Sequence, residues 1–412
     1  MPSTSWISRP LLSCKANYST RRQILVVSIW EPGYHTRLLF HSPNVQIMSS
    51  RHLYIHIPFC HRICPYCAFF KHTPSDTDMR GFVRAVAKEA QLRLPVGFAP
   101  RTLYFGGGTP SMLSPTHLEN LVEGLRRVAD LSHLEEWSFE ANPATFTHAK
   151  VEQWLRLGIT RVSLGVQSMD ADTLRMLGRE HTPEQVIQSV QILREVGIPQ
   201  VNIDLMFSLP GQTIDLWQRT LEDTLALAPN HISTYNLTYE EGTPFYQQFG
   251  QQMVDEETDE AMFNLTDELL TTAGFRHYEV SNYARPGCLS LHNLACWQGE
   301  DYYGLGPGAC ATLGHTRYAN AENTPDYIHA LAAGHLPPHS TEHLSHADKR
   351  TERLGLWLRT DIPLPPSFLR SQDFPYIQEL CLEGLATYST EEGLILTRRG
   401  RLLADEIVLG FM

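Results

Sequence analysis

The sequence predicts an α/β fold, in which a partial (β/α)6 barrel is followed by a small, α-rich, winged-helix-like C-terminal domain. From Tyr54 onward, short apolar runs alternate with amphipathic segments, and about six such units occur. Strands that alternate with helices indicate βαβ units and a parallel sheet. Six units are fewer than the eight of a closed barrel, which predicts an open one. From about His346 the sequence predicts a helix, a second helix, a strand and a third helix.

The predicted barrel strands are short apolar runs. They are LYIHI from Leu53, TLYFGG from Thr102, EWSFEAN from Glu136, RVSLGVQ from Arg161, VNIDLMF from Val201 and HISTYNL from His231. Helical periodicity is seen over residues 118–131, 183–197 and 215–229. The second of these segments ends in glycine and the third in proline, both of which commonly stop a helix.

Changes in composition divide the chain into four parts. Residues 1–47 are Ser-rich and basic, and form either an organellar presequence or a stretch before a true start at Met48. Residues 48–285 are the predicted barrel core, and residues 286–345 a connecting region. Residues 284–314 in particular are rich in Gly, Pro and aromatics, and we expect them not to be helical. Residues 346–412 form the C-terminal domain.

Composition excludes several classes of protein. The formal net charge of −12 argues against an extended nucleic-acid-binding surface. No apolar run approaches the roughly 20 residues of a membrane-spanning helix. Eight unevenly spread cysteines do not make a disulfide framework, and three of them within eight residues indicate a metal site in a reducing compartment. We therefore expect a cytoplasmic protein, or a mitochondrial one if residues 1–47 are a presequence.

The three cysteines Cys60, Cys64 and Cys67 have the spacing C-x3-C-x2-C. A closed zinc site needs four ligands, and His56, His61 or His72 could supply the fourth. A four-iron cluster also normally takes four thiolates, so three thiolates leave one iron open to a small chelating molecule. The loop directly follows a strand and therefore lies at the edge of the sheet where α/β proteins place their sites. The residues alone leave both metals possible.

A C-x3-C-x2-C loop after the first strand of a β/α barrel resembles the radical S-adenosylmethionine (radical SAM) superfamily. The resemblance implies that Cys60, Cys64 and Cys67 hold a 4Fe-4S cluster. It also implies that the open iron chelates the amino and carboxylate groups of SAM. The reduced cluster, supplied by an electron donor, then passes one electron to the sulfonium, and homolysis gives a deoxyadenosyl radical.

Further polar and glycine residues follow the strands. Gly106, Gly107 and Gly108 allow close backbone approach, which suits either a tight turn or a ligand. A single charged residue at a strand end is most often a cap or an ion pair, whereas a series of them indicates a ligand-lining rim. The resemblance implies that the rim binds SAM through Tyr54, Tyr66, Gly106, Gly107, Gly108, Thr109, Glu140, Gln167, Arg179 and Asp204.

From Leu53 to the C-terminus, the chain resembles the anaerobic coproporphyrinogen oxidase family and, within it, the HemW-type haem chaperones. The oxidase branch has a further cysteine where this chain has Phe69. The chaperone branch carries H-N-x-x-Y-W, and this chain has HNLACW from His292 to Trp297. The resemblance implies binding of haem, with His292 as candidate ligand, and its transfer to acceptor proteins. Cys296, in place of the family's Tyr, and Cys310 are alternative ligands.

Two other functions stay open at the level of sequence. One is an oxygen-independent coproporphyrinogen III dehydrogenase, which removes two propionate carboxyl groups by radical SAM chemistry. The other is a non-catalytic, zinc-binding scaffold. We expect a haem chaperone that lacks the dehydrogenase activity.

Overall fold

The computed structural model describes residues 51–74, 77–250 and 254–411. The basic segment 1–47 lies outside these residues. A twelve-stranded sheet with flanking helices forms most of the described chain, and a two-stranded sheet lies near the C-terminus. No helix in the described ranges combines the length and the apolar character needed to cross a membrane.

The barrel core and its extension contain twelve strands among the described residues, and the C-terminal domain adds two. The strands are β1 His52–Ile57, β2 Thr102–Gly107, β3 Glu136–Ala141, β4 Arg161–Gln167, β5 Gln200–Phe207, β6 His231–Asn236, β7 Arg276–Glu279, β8 Asn282–Ala284, β9 Tyr302–Leu305, β10 Cys310–Leu313, β11 Thr316–Asn320, β12 His339–His343, β13 Ala386–Ser389 and β14 Gly393–Leu396. The helices are α1 Met79–Arg93, α2 Pro115–Arg126, α3 His148–Leu157, α4 Ala171–Met176, α5 Pro183–Val196, α6 Ile214–Ala226, α7 Pro244–Phe249, α8 Glu256–Thr272, α9 Leu291–Trp297, α10 Thr324–Ala332, α11 His346–Trp357, α12 Phe374–Leu382, α13 Arg398–Leu402 and α14 Ala404–Leu409.

The large sheet has the order β12-β11-β10-β9-β1-β2-β3-β4-β5-β6-β8-β7. Strand β9 and strands β1 to β6 pair in parallel. The strands toward both ends pair antiparallel. Because β12 and β7 end the sheet without pairing to each other, the barrel is open. The predicted partial barrel is confirmed, and its six predicted strands agree with β1 to β6 within a residue or so.

The barrel strands have one apolar and one polar face. In β1, Leu53, Ile55 and Ile57 belong to the apolar core that packs against the helices, whereas His52 and His56 point to the opposite face. The register continues this polar face across the neighbouring strands, which is unusual because parallel sheets are commonly apolar on both faces. Its members include Thr102, Tyr104, Ser138, Glu140, Ser163, Asn202, Asp204, His231 and Ser233.

The expectation that residues 284–314 contain no helix was wrong, because α9 lies within them. Glu136 at the start of β3 explains this helix. Its carboxylate accepts hydrogen bonds from the backbone N–H groups of Leu291 (2.7 Å) and His292 (3.1 Å). A helix of seven residues is too short to be stable alone. Tertiary contacts, which leave no periodic pattern in the sequence, therefore hold α9 in place.

Buried Glu89 on α1 ties residues after α9 to the core. Its carboxylate accepts hydrogen bonds from Gly306 N–H (2.9 Å), Asn320 Nδ2 (2.8 Å) and Tyr327 Oη (2.6 Å). It also pairs with Arg93 Nε at 2.8 Å. One carboxylate thus links α1 to the β9–β10 turn, to β11 and to α10.

The C-terminal domain has its own apolar core between α11, α12, the β13–β14 hairpin and α14. The predicted helix, helix, strand and helix are all present, and the single predicted strand is a hairpin. Arg276 Nη2 donates to Asp361 Oδ1 at 2.8 Å, and Arg398 Nε lies 3.2 Å from Asp267 Oδ2. These ion pairs hold the domain against the β7 edge of the barrel and helix α8.

Changing Glu89 to Gln should lower the free energy of unfolding by about 3 kcal/mol, because it leaves the buried Arg93 charge without a counter-charge. Urea unfolding followed by tryptophan fluorescence measures the change. Glu123→Gln on the exposed face of α2 is the matched control and should stay within about 0.5 kcal/mol of the parent. Equal unfolding of the two variants would contradict the role given to Glu89.

Buried His231 should make the fold sensitive to acid. Its Nδ1 lies 2.6 Å from Asn202 Oδ1 and its Nε2 lies 2.8 Å from Tyr278 Oη. Burial lowers its pKa well below the usual 6.5. Because the folded protein binds this proton less readily than the unfolded chain, stability is full above pH 6.5 and falls below it.

We therefore expect His231 to contribute about 1 kcal/mol to the loss of unfolding free energy between pH 6.5 and 5.5. The measurement is urea unfolding of the parent and of His231→Gln at both pH values. The variant should lose less stability over this interval, even if it is less stable at pH 7.5. An identical loss in both proteins would contradict the assignment.

Candidate functional site

A cavity of about 310 Å³ opens at the carboxyl ends of the barrel strands. The loop after β1, the loop after β2 and the ends of β3 to β6 form one side of it, and α9 forms another. The volume is at the lower end of the range for small-molecule sites. Of the predicted site residues, those that line it are Cys60, Cys64, Tyr66, Cys67, Gly107, Gly108, Thr109, Glu140, Gln167, Arg179 and Asp204. Tyr54, Gly106 and His292 are not in this lining.

The cysteine loop is irregular but its base is fixed. Cys60 N–H donates to His72 O at 3.0 Å, and His72 N–H donates to Pro58 O at 2.8 Å. Within the loop, Cys67 N–H donates to Cys64 O at 3.2 Å. All three cysteines line the same cavity.

Hydrogen-bond donors lie beside two of the three thiols. Thr109 Oγ1 lies 3.6 Å from Cys60 Sγ, and Arg179 Nη1 lies 3.4 Å from Cys64 Sγ. Burial raises the pKa of the Cys60 thiol to about 11, so this group keeps its proton at neutral pH unless a metal takes the proton's place. Thiolates are the usual ligands of iron–sulfur clusters, and the hydroxyl and guanidinium donors stabilise the negative charge that they acquire.

The histidines proposed as a fourth zinc ligand are engaged elsewhere. Both ring nitrogens of His56 and of His72 form hydrogen bonds with other groups of the protein. His61 is exposed, and its Nδ1 lies 2.9 Å from the Glu180 carboxylate. Binding zinc through any of them would break these contacts, which disfavours the zinc hypothesis.

The glycine loop packs directly on the cysteine loop. Gly107 has a φ of +109°, and a Cβ there would lie 2.5 Å from the His56 ring. At Gly108 a Cβ would lie 2.8 Å from Phe59 O. The N–H groups of Gly108 and Thr109 donate to Ile57 O and Phe59 O, each at 2.8 Å. The glycines thus form a tight turn, and Gly107 and Gly108 line the cavity.

Two carboxylates at the rim of the cavity, Glu140 and Asp204, have different hydrogen-bond partners. Glu140 accepts hydrogen bonds from Tyr104 Oη (2.8 Å) and from Gly107 N–H (3.0 Å), and burial raises its pKa to about 7. Asp204 accepts from Ser163 Oγ (3.0 Å) and from Asn202 Nδ2 (2.7 Å), and burial raises its pKa as well. Both carboxylates line the cavity.

Gln167 and Arg179 complete the rim. Gln167 ends β4 with a φ of +70°, beside an irregularity in the β4–β5 pairing. Arg179 Nη2 donates to Asn142 Oδ1 at 2.7 Å and to Gly165 O at 2.6 Å. The bonds orient the guanidinium beside Cys64. Asn142 lines the cavity too; its place directly after β3, in FEANP, was a signal that sequence reasoning did not use.

The remaining predicted residues lie behind the cavity wall. Tyr54 is 2% exposed, and its hydroxyl lies 3.0 Å from His56 Nδ1. Gly106 is needed for packing, because a Cβ there would lie 2.8 Å from Glu140 Oε1. His292 is fully buried, with its Nδ1 2.7 Å from Thr102 Oγ1, and burial lowers its pKa to about 3.

Helix α9 presents Asn293, Cys296 and Trp297 to the cavity. Beside them lie Glu279 and Asn282 of the β7–β8 hairpin. Sequence reasoning noted the HNLACW motif but not these two residues. Strand β7 has only four residues, and nothing in its local pattern indicates that the hairpin turns toward a site.

Comparison with known proteins identifies relatives of this chain. The model of the Radical SAM superfamily matches residues 54–224. "Heme chaperone HemW" of Bacillus subtilis is 32% identical over 373 residues, which cover 87% of this chain and 98% of that protein. "Heme chaperone HemW" of Lactococcus lactis is 36% identical over 67% of this chain and 73% of that protein.

Similarity extends to animal proteins and to a solved structure. "Radical S-adenosyl methionine domain-containing protein 1, mitochondrial" of Bos taurus is 35% identical over 75% of this chain and 73% of that protein. Coproporphyrinogen III oxidase (HemN) from Escherichia coli superposes with a TM-score of 0.76 over 88% of this chain and 90% of that chain. At 23% identity this shows a shared fold. The chain covers nearly the whole of a HemW protein at 32% identity, and the Radical SAM model matches its residues 54–224. The chain therefore belongs to the HemW family of the radical SAM superfamily.

Proposed function

We propose that this protein binds haem and delivers it to acceptor proteins, and that it carries a 4Fe-4S cluster completed by SAM. One observation carries the proposal. The three thiols, the glycine loop and the polar rim share a single cavity with the wall that bears the HNLACW motif. Relatives that match almost the whole chain are named haem chaperones, which supports haem as the cargo.

The cluster would be held by Cys60, Cys64 and Cys67, and SAM by the rim. When bound and reduced by an electron donor, the cluster and SAM supply one-electron chemistry that side chains lack. Gly107 and Gly108 let the backbone approach the ligand closely. Glu140 and Asp204 would accept hydrogen bonds from amino and hydroxyl groups of SAM, because both carboxylates line the cavity.

Phe69 favours haem handling over porphyrinogen oxidation. It lines the cavity beside Cys67, at the position where the oxidase branch of the family carries a further cysteine. A phenyl ring cannot replace a thiol in ligation or in radical chemistry. We therefore propose that the chain lacks coproporphyrinogen dehydrogenase activity.

We propose a cytoplasmic location, or a mitochondrial one if residues 1–47 act as a presequence. The Bos taurus relative is named as mitochondrial, and the basic, acid-poor composition of residues 1–47 fits such a presequence. Fusion of these residues to a fluorescent protein would distinguish the two locations.

Changing Cys64 to Ser should abolish the cluster, because the remaining two thiolates cannot hold it. Iron and sulfide analysis after anaerobic reconstitution, together with the EPR spectrum of the reduced protein, measures the loss. Cys288→Ser removes a thiol outside the cavity and should keep the full iron content. Unchanged iron in Cys64→Ser would contradict the cluster assignment.

Function is tested on one anaerobic preparation of the reconstituted protein. Haem titration should give a saturable Soret change, and bound haem should pass to an apo-protein acceptor such as apomyoglobin. Incubation with SAM, reductant and coproporphyrinogen III should leave the porphyrinogen unchanged. Formation of protoporphyrinogen would overturn the proposal, and so would the absence of haem binding.

A further inference from the structure

Helix α9 forms a wall of the cavity that is separate from the cysteine loop, the glycine loop and the polar rim. Positions 293, 296 and 297 are three and four residues apart and so share one face of the helix. Asn293, Cys296 and Trp297 all line the cavity through this face. The Cys296 side chain is buried, with 8% exposure. The cavity is thus lined by a thiol that lies apart from the three cysteines of the loop after β1.

Two buried carboxylates hold this wall in place. Glu136 accepts the backbone N–H groups at the start of α9. Glu279, which is fully buried, accepts Ser281 N–H at 2.9 Å and also contacts the side chains of Asn282 and Trp297. The positions of the thiol and the indole are therefore fixed before any ligand arrives.

Asn282 indicates that the wall is built for a ligand. Its Nδ2 donates to Glu279, which sets the orientation of the amide. Its Oδ1 is buried and has no hydrogen-bond partner among the described residues, although Asn282 lines the cavity and is only 3% exposed. A buried acceptor without a partner costs free energy, so this wall completes its hydrogen bonds with a bound molecule or with water.

We propose that Cys296 is the protein ligand of the haem iron, an inference that rests on the proposed function. Cysteine thiolate is an established axial ligand of haem. As the Fe–S bond forms, the thiol releases its proton to solvent and displaces a water molecule from the ferric iron. No electron is transferred in this step.

The other two candidate ligands are placed less favourably. His292 is enclosed in the barrel, with its ring centroid 5.2 Å from that of Tyr104 and 6.1 Å from that of His52. Its Nδ1 contacts Thr102, and its backbone N–H is held by Glu136. Its ring is fully buried and is not part of the cavity lining, although its Nε2 has no hydrogen-bond partner among the described residues. Cys310 is buried in β10 and does not line the cavity.

The test is a titration of full-length, reconstituted protein with ferric haem, for the parent and for Cys296→Ser. The variant should bind haem at least tenfold more weakly and should lose the thiolate signature of the Soret band and of the low-spin EPR spectrum. Cys296→His supplies a different ligand at the same place and should restore binding with an imidazole-type spectrum. Cys288→Ser is the matched control and should behave as the parent.

Each outcome distinguishes the inference from the proposed function. If the parent binds no haem, the proposed function fails. If Cys296→Ser binds haem with the parent's affinity and spectrum, the function stands and the inference is overturned. The inference is also overturned if Cys296→Ser alters only the EPR signal of the cluster, because the thiol then serves the cluster. Because Cys296→His tests for regained ligation, a general loss of folding would not be mistaken for the loss of a ligand.

Discussion

Buried and partly buried carboxylates that accept backbone N–H groups hold together the parts of this molecule that surround the cavity. Glu140 holds the glycine loop through Gly107, Glu136 holds the start of α9, and Glu89 holds the turn at Gly306. A buried charge is tolerated only when several hydrogen bonds compensate for its loss of hydration. Each of these carboxylates therefore requires its loop to be in place, and the loop requires the carboxylate.

The arrangement follows from the polar inner face of the barrel. An ordinary barrel fills its interior with branched apolar side chains, whereas here the inner positions carry histidine, serine, asparagine and acidic residues. A cavity lies at the carboxyl ends of these strands. The outer face of the same strands is apolar and packs against the helices. Polar and apolar residues alternate along each strand. The outer face therefore packs against the helices, and the inner face leads to the cavity.

The sequence indicates the barrel well because its signals are local. The apolar runs at Leu53, Thr102 and Val201 correspond closely to strands. The cysteine spacing and the position of the glycines after β2 indicate the side of the cavity that carries the three thiols. Contacts over long distances in the sequence are not visible in this way. Helix α9 exists because Glu136 caps it, and Glu279 faces the cavity because a short hairpin turns inward. Neither effect has a periodic signature, and so the sequence favours His292 and gives no reason to prefer Cys296 as the haem ligand.

The contact between Glu136 and α9 has a consequence for the order in which the protein folds. The two groups are separated by about 155 residues of chain, and contacts of such separation form late because closing a long loop is entropically costly. During synthesis, strands β1 to β6 and the cysteine loop leave the ribosome well before α9. The nascent barrel therefore has its thiols but not its far wall. If the proposed cluster is inserted into such an intermediate, its insertion precedes closure of the cavity, and maturation of the metal site is then kinetically linked to completion of the fold.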